Sequence, residues 1–222
     1  MNVLIIGANG RIGQHLVRKL QESDKHNPIV MVRKEEQQAK FAEQGVETAL
    51  ADLEGSIETI TNAAKGVDTV VFTAGARGHE GVDKFMLIDL DGAVKSMKAA
   101  EQAGAKRFVN VSGNSVHRWH DNNRPEWMGS YPNLSAAKYY ANVWLENSGL
   151  DYTIIRPGHL NDEPGTGKIK VAAALEHEEI PREDVASAIV AVLEHDQTIG
   201  KAFDMNGGET PIVKVINSLN EE

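Results

Sequence analysis

Short apolar runs alternate along the chain with longer stretches in which apolar residues recur every three or four positions. The runs are Val3–Ile6, Ile29–Val32, Val46–Leu50, Thr69–Thr73, Phe108–Val111 and Tyr152–Ile155. They are rich in β-branched residues and nearly continuous in apolar character, the pattern of strands covered on both faces of a parallel sheet. Ile12, Leu16, Val17 and Leu20 follow the first run at helical spacing. Strand and helix patterns in alternation predict βαβ units joined by right-handed crossovers, hence an α/β fold with a doubly wound, mainly parallel sheet and helices on both faces. After Arg156-Pro157-Gly158 the pattern changes to a short strand around Ile169–Ala172, a helix from Arg182 to Leu193, a strand at Ala202–Met205 and a closing helix from Ile212. In the helix Val185, Ile189 and Val192 form the buried stripe, with Arg182 and Asp184 expected to cap and solvate it. Two stretches, Ala76–Asp83 and Gly113–Asn133, carry no regular pattern. Both follow strands, and in open α/β sheets ligands bind outside the carboxyl ends of strands.

The first strand runs straight into Gly7-Ala8-Asn9-Gly10-Arg11-Ile12-Gly13 and then the first helix. Gly7, Gly10 and Gly13 permit a tight turn, a close approach of backbone to phosphate oxygens, and close packing of helix on strand. The helix N-terminus adds unpaired N–H groups for an anion, so the layout suits a pyrophosphate; the competing reading is a structural glycine turn. This places the chain among Rossmann sheets: a single domain over 1–222, with a dinucleotide-binding core at 1–156 and a small C-terminal elaboration on the substrate side at 157–222.

Composition narrows the partners. A formal charge of -9 and a pI near 5.4 repel polyanions, so neither nucleic acid nor an anionic membrane surface is expected. Cysteine is absent, which removes disulfides, thiolate metal sites and a cysteine nucleophile. No basic-flanked apolar leader opens the chain and no apolar run reaches membrane-spanning length, so a cytoplasmic protein is expected. Oligomeric state is not legible.

The charge around the second strand bears on which dinucleotide binds. Sites selective for NAD end that strand on Asp or Glu; here Ile29–Val32 runs into Arg33-Lys34. Arg11, in the glycine loop, is expected near the same ribose, and guanidinium groups pair well with phosphate oxygens. NADP(H) is therefore favoured over NAD(H). Asp52-Leu53 after the third strand and Thr73-Ala74-Gly75 after the fourth are placed along the cofactor, short turns being the alternative for each.

In this order and at these separations, the glycine loop, Asp52-Leu53, Thr73-Ala74-Gly75, Val111-Ser112, Ala137-Lys138, the run from Ser148 to Gly158 and Arg182–Ala186 resemble the atypical branch of the short-chain dehydrogenase/reductase superfamily. The resemblance spans nearly the whole chain. It implies an NAD(P)-binding oxidoreductase in which a Tyr-x-x-x-Lys pair and a serine serve a small-molecule acceptor, with Pro157, Gly158 and His159 beside the cofactor and Lys138 on its nicotinamide ribose. The ammonium stabilises the phenolate, so that the tyrosine exchanges a proton with substrate oxygen while hydride moves. Four residues before Lys138 stands Leu134, not tyrosine. Tyr131 is the substitute acid to consider, although Pro132 favours a helix that starts after it; packing of the loop is its other role. Ser112 is the candidate hydroxyl, and the resemblance also places it beside the cofactor. Flavin and biliverdin reductases of this branch similarly lack the tyrosine and reduce conjugated acceptors with NADPH, and Trp127, Trp119 or Tyr131 could stack on such an acceptor or bury beneath the loop. A non-catalytic dinucleotide-binding redox sensor and a sugar-nucleotide epimerase or dehydratase are the competing functions; the missing tyrosine and short C-terminal portion disfavour the last.

Two further patterns are set aside. His117 and His120 lack a thiolate and a third ligand, so no metal is expected. Gly165-Thr166-Gly167-Lys168 lacks the earlier glycine of a triphosphate loop, and Ile169 stands where the magnesium-binding hydroxyl would be.

Overall fold

The computed structural model describes residues 1–78 and 80–220, the side chain of Asn220 excepted. Strand β1 (Asn2–Ile6) leads into helix α1 (Arg11–Gln21), and the alternation continues through β2 (Asn27–Val32), α2 (Glu35–Ala42), β3 (Glu47–Leu50), α3 (Ile57–Ala63) and β4 (Thr69–Phe72). A one-turn helix α4 (Val82–Lys84) widens into π-helical turns over Phe85–Gly92 and tightens again as α5 (Ala93–Ala103). β5 (Arg107–Val111), a 3-10 turn at Val116–Arg118, α6 (Trp127–Ser130), α7 (Pro132–Glu146) and β6 (Asp151–Pro157) complete the predicted core.

In spatial order the sheet reads β3-β2-β1-β4-β5-β6, all parallel, with the order reversing between β1 and β4. It is extended by β10 (Lys201–Gly207), parallel to β6, and by antiparallel β8 (Lys168–Ala172) and β11 (Thr210–Pro211). The predicted strand at 152–155 is longer than expected, because Arg156 and Pro157 still pair with β10. Strands β7 (His159–Asn161) and β9 (Glu179–Pro181) form a separate parallel pair that the pattern did not predict, being too short to carry a period.

Side chains of β1 alternate between two cores. Val3 and Ile5 face one containing Leu16 and Leu20 of α1 and Ile189 and Val192 of α8 (Arg182–Leu193), with Ile216 of α9 (Ile212–Asn217). Leu4 and Ile6 face the other, with Ile60 of α3, Met97 of α5 and Leu145 of α7. All four are at most 1% exposed, which at about 1.5–3 kcal/mol per buried aliphatic side chain anchors the sheet centre under the glycine loop.

The stretches without a pattern are partly ordered. The expected loop at 76–83 ends in α4, with His79 outside the described residues, and the expected loop at 113–133 holds the 3-10 turn, α6 and the first two residues of α7. Pro132 occupies the start of α7, where a missing N–H is no loss.

Candidate active site

Gly7 has φ +95°, a conformation that side-chain-bearing residues rarely adopt, and a Cβ on Gly13 would lie 2.4 Å from the Gly7 carbonyl oxygen. The loop therefore needs glycine for backbone handedness at one end and for helix-on-strand contact at the other. Gly10 caps α1 without a side-chain acceptor, and the first turn contains no acidic residue. Its N–H groups stay open to an anion.

Above this turn lies a cleft of about 410 Å3 at the carboxyl ends of β1 to β4. Gly7, Asn9, Gly10, Arg33, Asp52, Leu53, Thr73, Ala74 and Gly75 line it, as the sequence predicts. The Thr73 hydroxyl donates to the Ile6 carbonyl at 3.2 Å, holding the end of β4 against β1. Arg33 stands at the rim with its backbone N–H on Gln37 Oε1 at 3.2 Å, and its guanidinium has no ion-pair partner among the described residues. Ile12 and Gly13 are buried beneath the loop, and Lys34 is exposed at the start of α2; none of the three lines the cleft.

Arg11 corrects the sequence reading. It lies outside the lining of the cleft and ion-pairs with Asp162, which also accepts from Arg182 at 2.8 Å. A carboxylate 151 positions away was within reach, and no local pattern announces it. Gln37, Arg77 and Ile88 join the lining unpredicted; Arg77 had a signal in following Thr73-Ala74-Gly75 directly at a strand's carboxyl end.

A second cavity, of about 280 Å3, opens at the ends of β5 and β6. It is lined by Ser112, Lys138, Pro157, Gly158 and His159, all predicted, together with Trp127, Leu134, Ser135, His177 and Arg182. Lys138 and Ser112 are thus brought together. Tyr131 is not: it is 58% exposed at the N-cap of α7 and outside the lining. Leu134 lines the cavity four residues before Lys138, where the resemblance implies a phenol.

Asp89, buried in the π-helical turns, ties a lining residue of one cavity to a lining residue of the other. Its Oδ2 accepts the Ala76 N–H at 2.9 Å on the cofactor side, and its Oδ1 lies 2.9 Å from Lys138 Nζ on the other. That second contact is an ion pair whose angle falls outside hydrogen-bond geometry. The ammonium is thereby held in the lining of the second cavity and its charge balanced.

Ser112 Oγ accepts from Asn142 Nδ2 at 2.9 Å, and Asn142 Oδ1 accepts from Asn110 Nδ2 at 2.9 Å. Trp127 stacks on His177 with ring centres 4.8 Å apart, and His159 meets His177 edge-on at 6.0 Å. Burial, and then the charge of His159, pushes the His177 imidazole below its ordinary value. Trp119 lies under Arg124 at 4.5 Å, and His120 packs edge-on against Tyr139, so neither reaches the cavity. His117 is turned to Asp204 at 3.8 Å instead. Asp184, expected to be solvated, is 1% exposed and accepts N–H bonds from Thr166 and Gly167 at 2.9 and 2.8 Å, fixing the turn into β8.

A strand, glycine turn and helix opening onto a cleft at the sheet's switch point form a dinucleotide site, and residues 7–196 match the NAD(P)H-binding family. The chain belongs to that family. Its relatives include a protein of Bacillus subtilis named as the uncharacterized sugar epimerase YhfK, 48% identical over 99% of this chain and all of that one. A solved structure from Bacillus halodurans, assigned by name to the NAD-dependent epimerase/dehydratases, is 39% identical and superposes with a TM-score of 0.89 over 98% of this chain and 99% of its own. Sanguinarine reductase of Eschscholzia californica is 28% identical over 92% of this chain and 88% of its own. No helix among the described residues of this family member is long and apolar enough to cross a membrane.

Proposed function

We propose that the protein is an NADP(H)-dependent reductase that passes hydride to a small conjugated or carbonyl acceptor. The observation that carries this reading is the second cavity: Lys138 and Ser112 line it, Leu134 stands in place of a phenolic acid, and Asp89 ties its Lys138 to Ala76 of the cofactor cleft. NADPH, when bound, supplies the hydride; the acceptor gains it together with one proton, and NADP+ is released. With no phenol in the cavity, the chain's residues act by holding and orienting the acceptor, and solvent delivers the proton. Conjugated acceptors suit this arrangement because their developing charge is delocalised. Trp127 offers a flat wall for them, and the reductase named among the relatives supports the same chemistry.

The phosphate-bearing coenzyme is favoured by Arg33, a cleft-side guanidinium with no ion-pair partner among the described residues, and no longer by Arg11. Stopped-flow mixing of the protein with NADPH and a panel of flavins, quinones, aldehydes and ketones tests the proposal. Loss of the reduced nicotinamide signal with at least one acceptor is expected. If calorimetry registers NADPH binding and no acceptor is reduced, the reading gives way to a non-catalytic module that reports the NADPH/NADP+ ratio, the function that the missing phenol would then favour.

A further inference from the structure

We propose that Asn142 is a positioning residue that fixes the Ser112 hydroxyl as a hydrogen-bond donor into the second cavity, supplying there the polar contact that Leu134 cannot. The role in turnover rests on the reductase reading; the direction of the hydrogen bonds does not.

A primary amide has an acceptor end and a donor end, and in Asn142 both are occupied. Asn110 Nδ2 donates to its oxygen at 2.9 Å, so its nitrogen faces Ser112 Oγ, also at 2.9 Å. A hydroxyl has one proton. With an Asn142 N–H already seated on the Ser112 oxygen, that proton is left for an acceptor in the cavity. The serine backbone is equally fixed, since its N–H donates to the Ile155 carbonyl at 2.8 Å. Asn110, Asn142 and Ser112 are 4%, 4% and 6% exposed, and at such burial the bonds are strong and water does not compete for them. The other hydroxyl in the lining, Ser135, is 3.5 Å from the Met128 carbonyl and donates there. Lys138 is held to Asp89. Ser112 is therefore the hydroxyl with a proton free to meet a carbonyl oxygen or ring nitrogen that gains negative charge as hydride arrives.

The test uses NADPH with phenanthrenequinone and with FMN as acceptors. Ser112→Ala and Asn142→Leu are each expected to lower kcat on the order of a hundredfold, the usual loss when a donor to developing charge is removed, with NADPH affinity unchanged within about twofold. The double variant should be no slower than either single one, because both remove the same contact. Asn142→Asp keeps the shape but replaces the donor by a carboxylate that draws the Ser112 proton toward itself. It should be as slow as Ser112→Ala near neutral pH and recover on acidification, when the introduced carboxyl carries a proton to donate. Full activity of Asn142→Asp at neutral pH, or losses that multiply in the double variant, would overturn the proposal. If the unchanged protein reduces neither acceptor, the reductase reading falls for those acceptors and neutron diffraction from deuterated crystals decides the positioning role. Deuterons on the Asn142 nitrogen facing Ser112, with the serine deuteron aimed at the cavity, support it; a reversed amide refutes it.

Discussion

At the scale of single residues, two cations that look alike in sequence are used differently. Arg33 was legible because a strand end fixes where the next residue points, and the residue after β2 overlooks the cleft in any sheet of this order. Arg11 was not, because a side chain at the start of a helix can reach either the cleft or the segment across from it, and Asp162 decides the matter. Arg33→Ala is expected to weaken NADPH binding about tenfold while leaving NADH binding nearly unchanged, the loss of one charge-assisted contact to phosphate. Paired calorimetric titrations check it, and equal weakening of both coenzymes would contradict a phosphate-selective role. Leu134 was equally legible: a residue four before Lys138 on a helix lies on the same face, so the absence of a phenol could be read by counting. Lys138's partner could not, since nothing in the run Phe85–Gly92 distinguishes Asp89 from Asp91. Burial distinguishes them, at 3% for Asp89 against an exposed Asp91.

At the scale of elements, the C-terminal elaboration is locked to the core by a buried charge network. Asp204 of β10 lies beside Arg156 of β6 in the parallel register and accepts from its Nε at 2.6 Å. The same carboxylate takes the backbone N–H groups of Ser115 and Leu175, at 3.2 and 3.0 Å, and the Asn114 amide at 3.3 Å. Ser115 is held at φ +58°, the one non-glycine residue with positive φ among the described residues. That local cost is offset by its bonds to Asp204. Asp204→Ala leaves the Arg156 guanidinium buried without its carboxylate and is expected to cost about 3–5 kcal/mol of stability, read from urea unfolding. A loss below about 1 kcal/mol would mean that the network serves only to shape the loop after β5. The sequence predicted β6 and β10 as strands but not their adjacency, because a strand's apolar pattern states that it is buried and not which strand lies next to it.

At the scale of the whole molecule, the buried imidazoles set a pH dependence. Burial is the main cause that pushes His26, His117 and His177 below the ordinary value of 6.5. Between the depressed values and 6.5 the unfolded chain binds more protons than the folded one, so stability rises with pH through this window and levels off above it. Glu194 and Glu183 are held low, by hydrogen bonds from Lys25 and from the Gly165 N–H respectively, and their contribution is lost at still lower pH, as they become protonated. Burial raises the Glu146 carboxyl, which acts in the opposite sense as pH rises above its ordinary value; with the three rings outweighing it, denaturant midpoints should be higher at about pH 7.5 than at about pH 5.5, and a flat or inverted profile would mean that they do not outweigh it. By itself the sequence determined what short-range sterics and hydrophobic periodicity control: alternating strands and helices, a doubly wound sheet, a glycine turn shaped for a pyrophosphate, and a missing acid. The tertiary structure alone decided which cation lines the cleft, that Asp89 holds Lys138, and that Asn142 bonds Ser112. Those pairings join residues from 30 to 151 positions apart; they are chosen by packing of whole elements, and no local pattern encodes them.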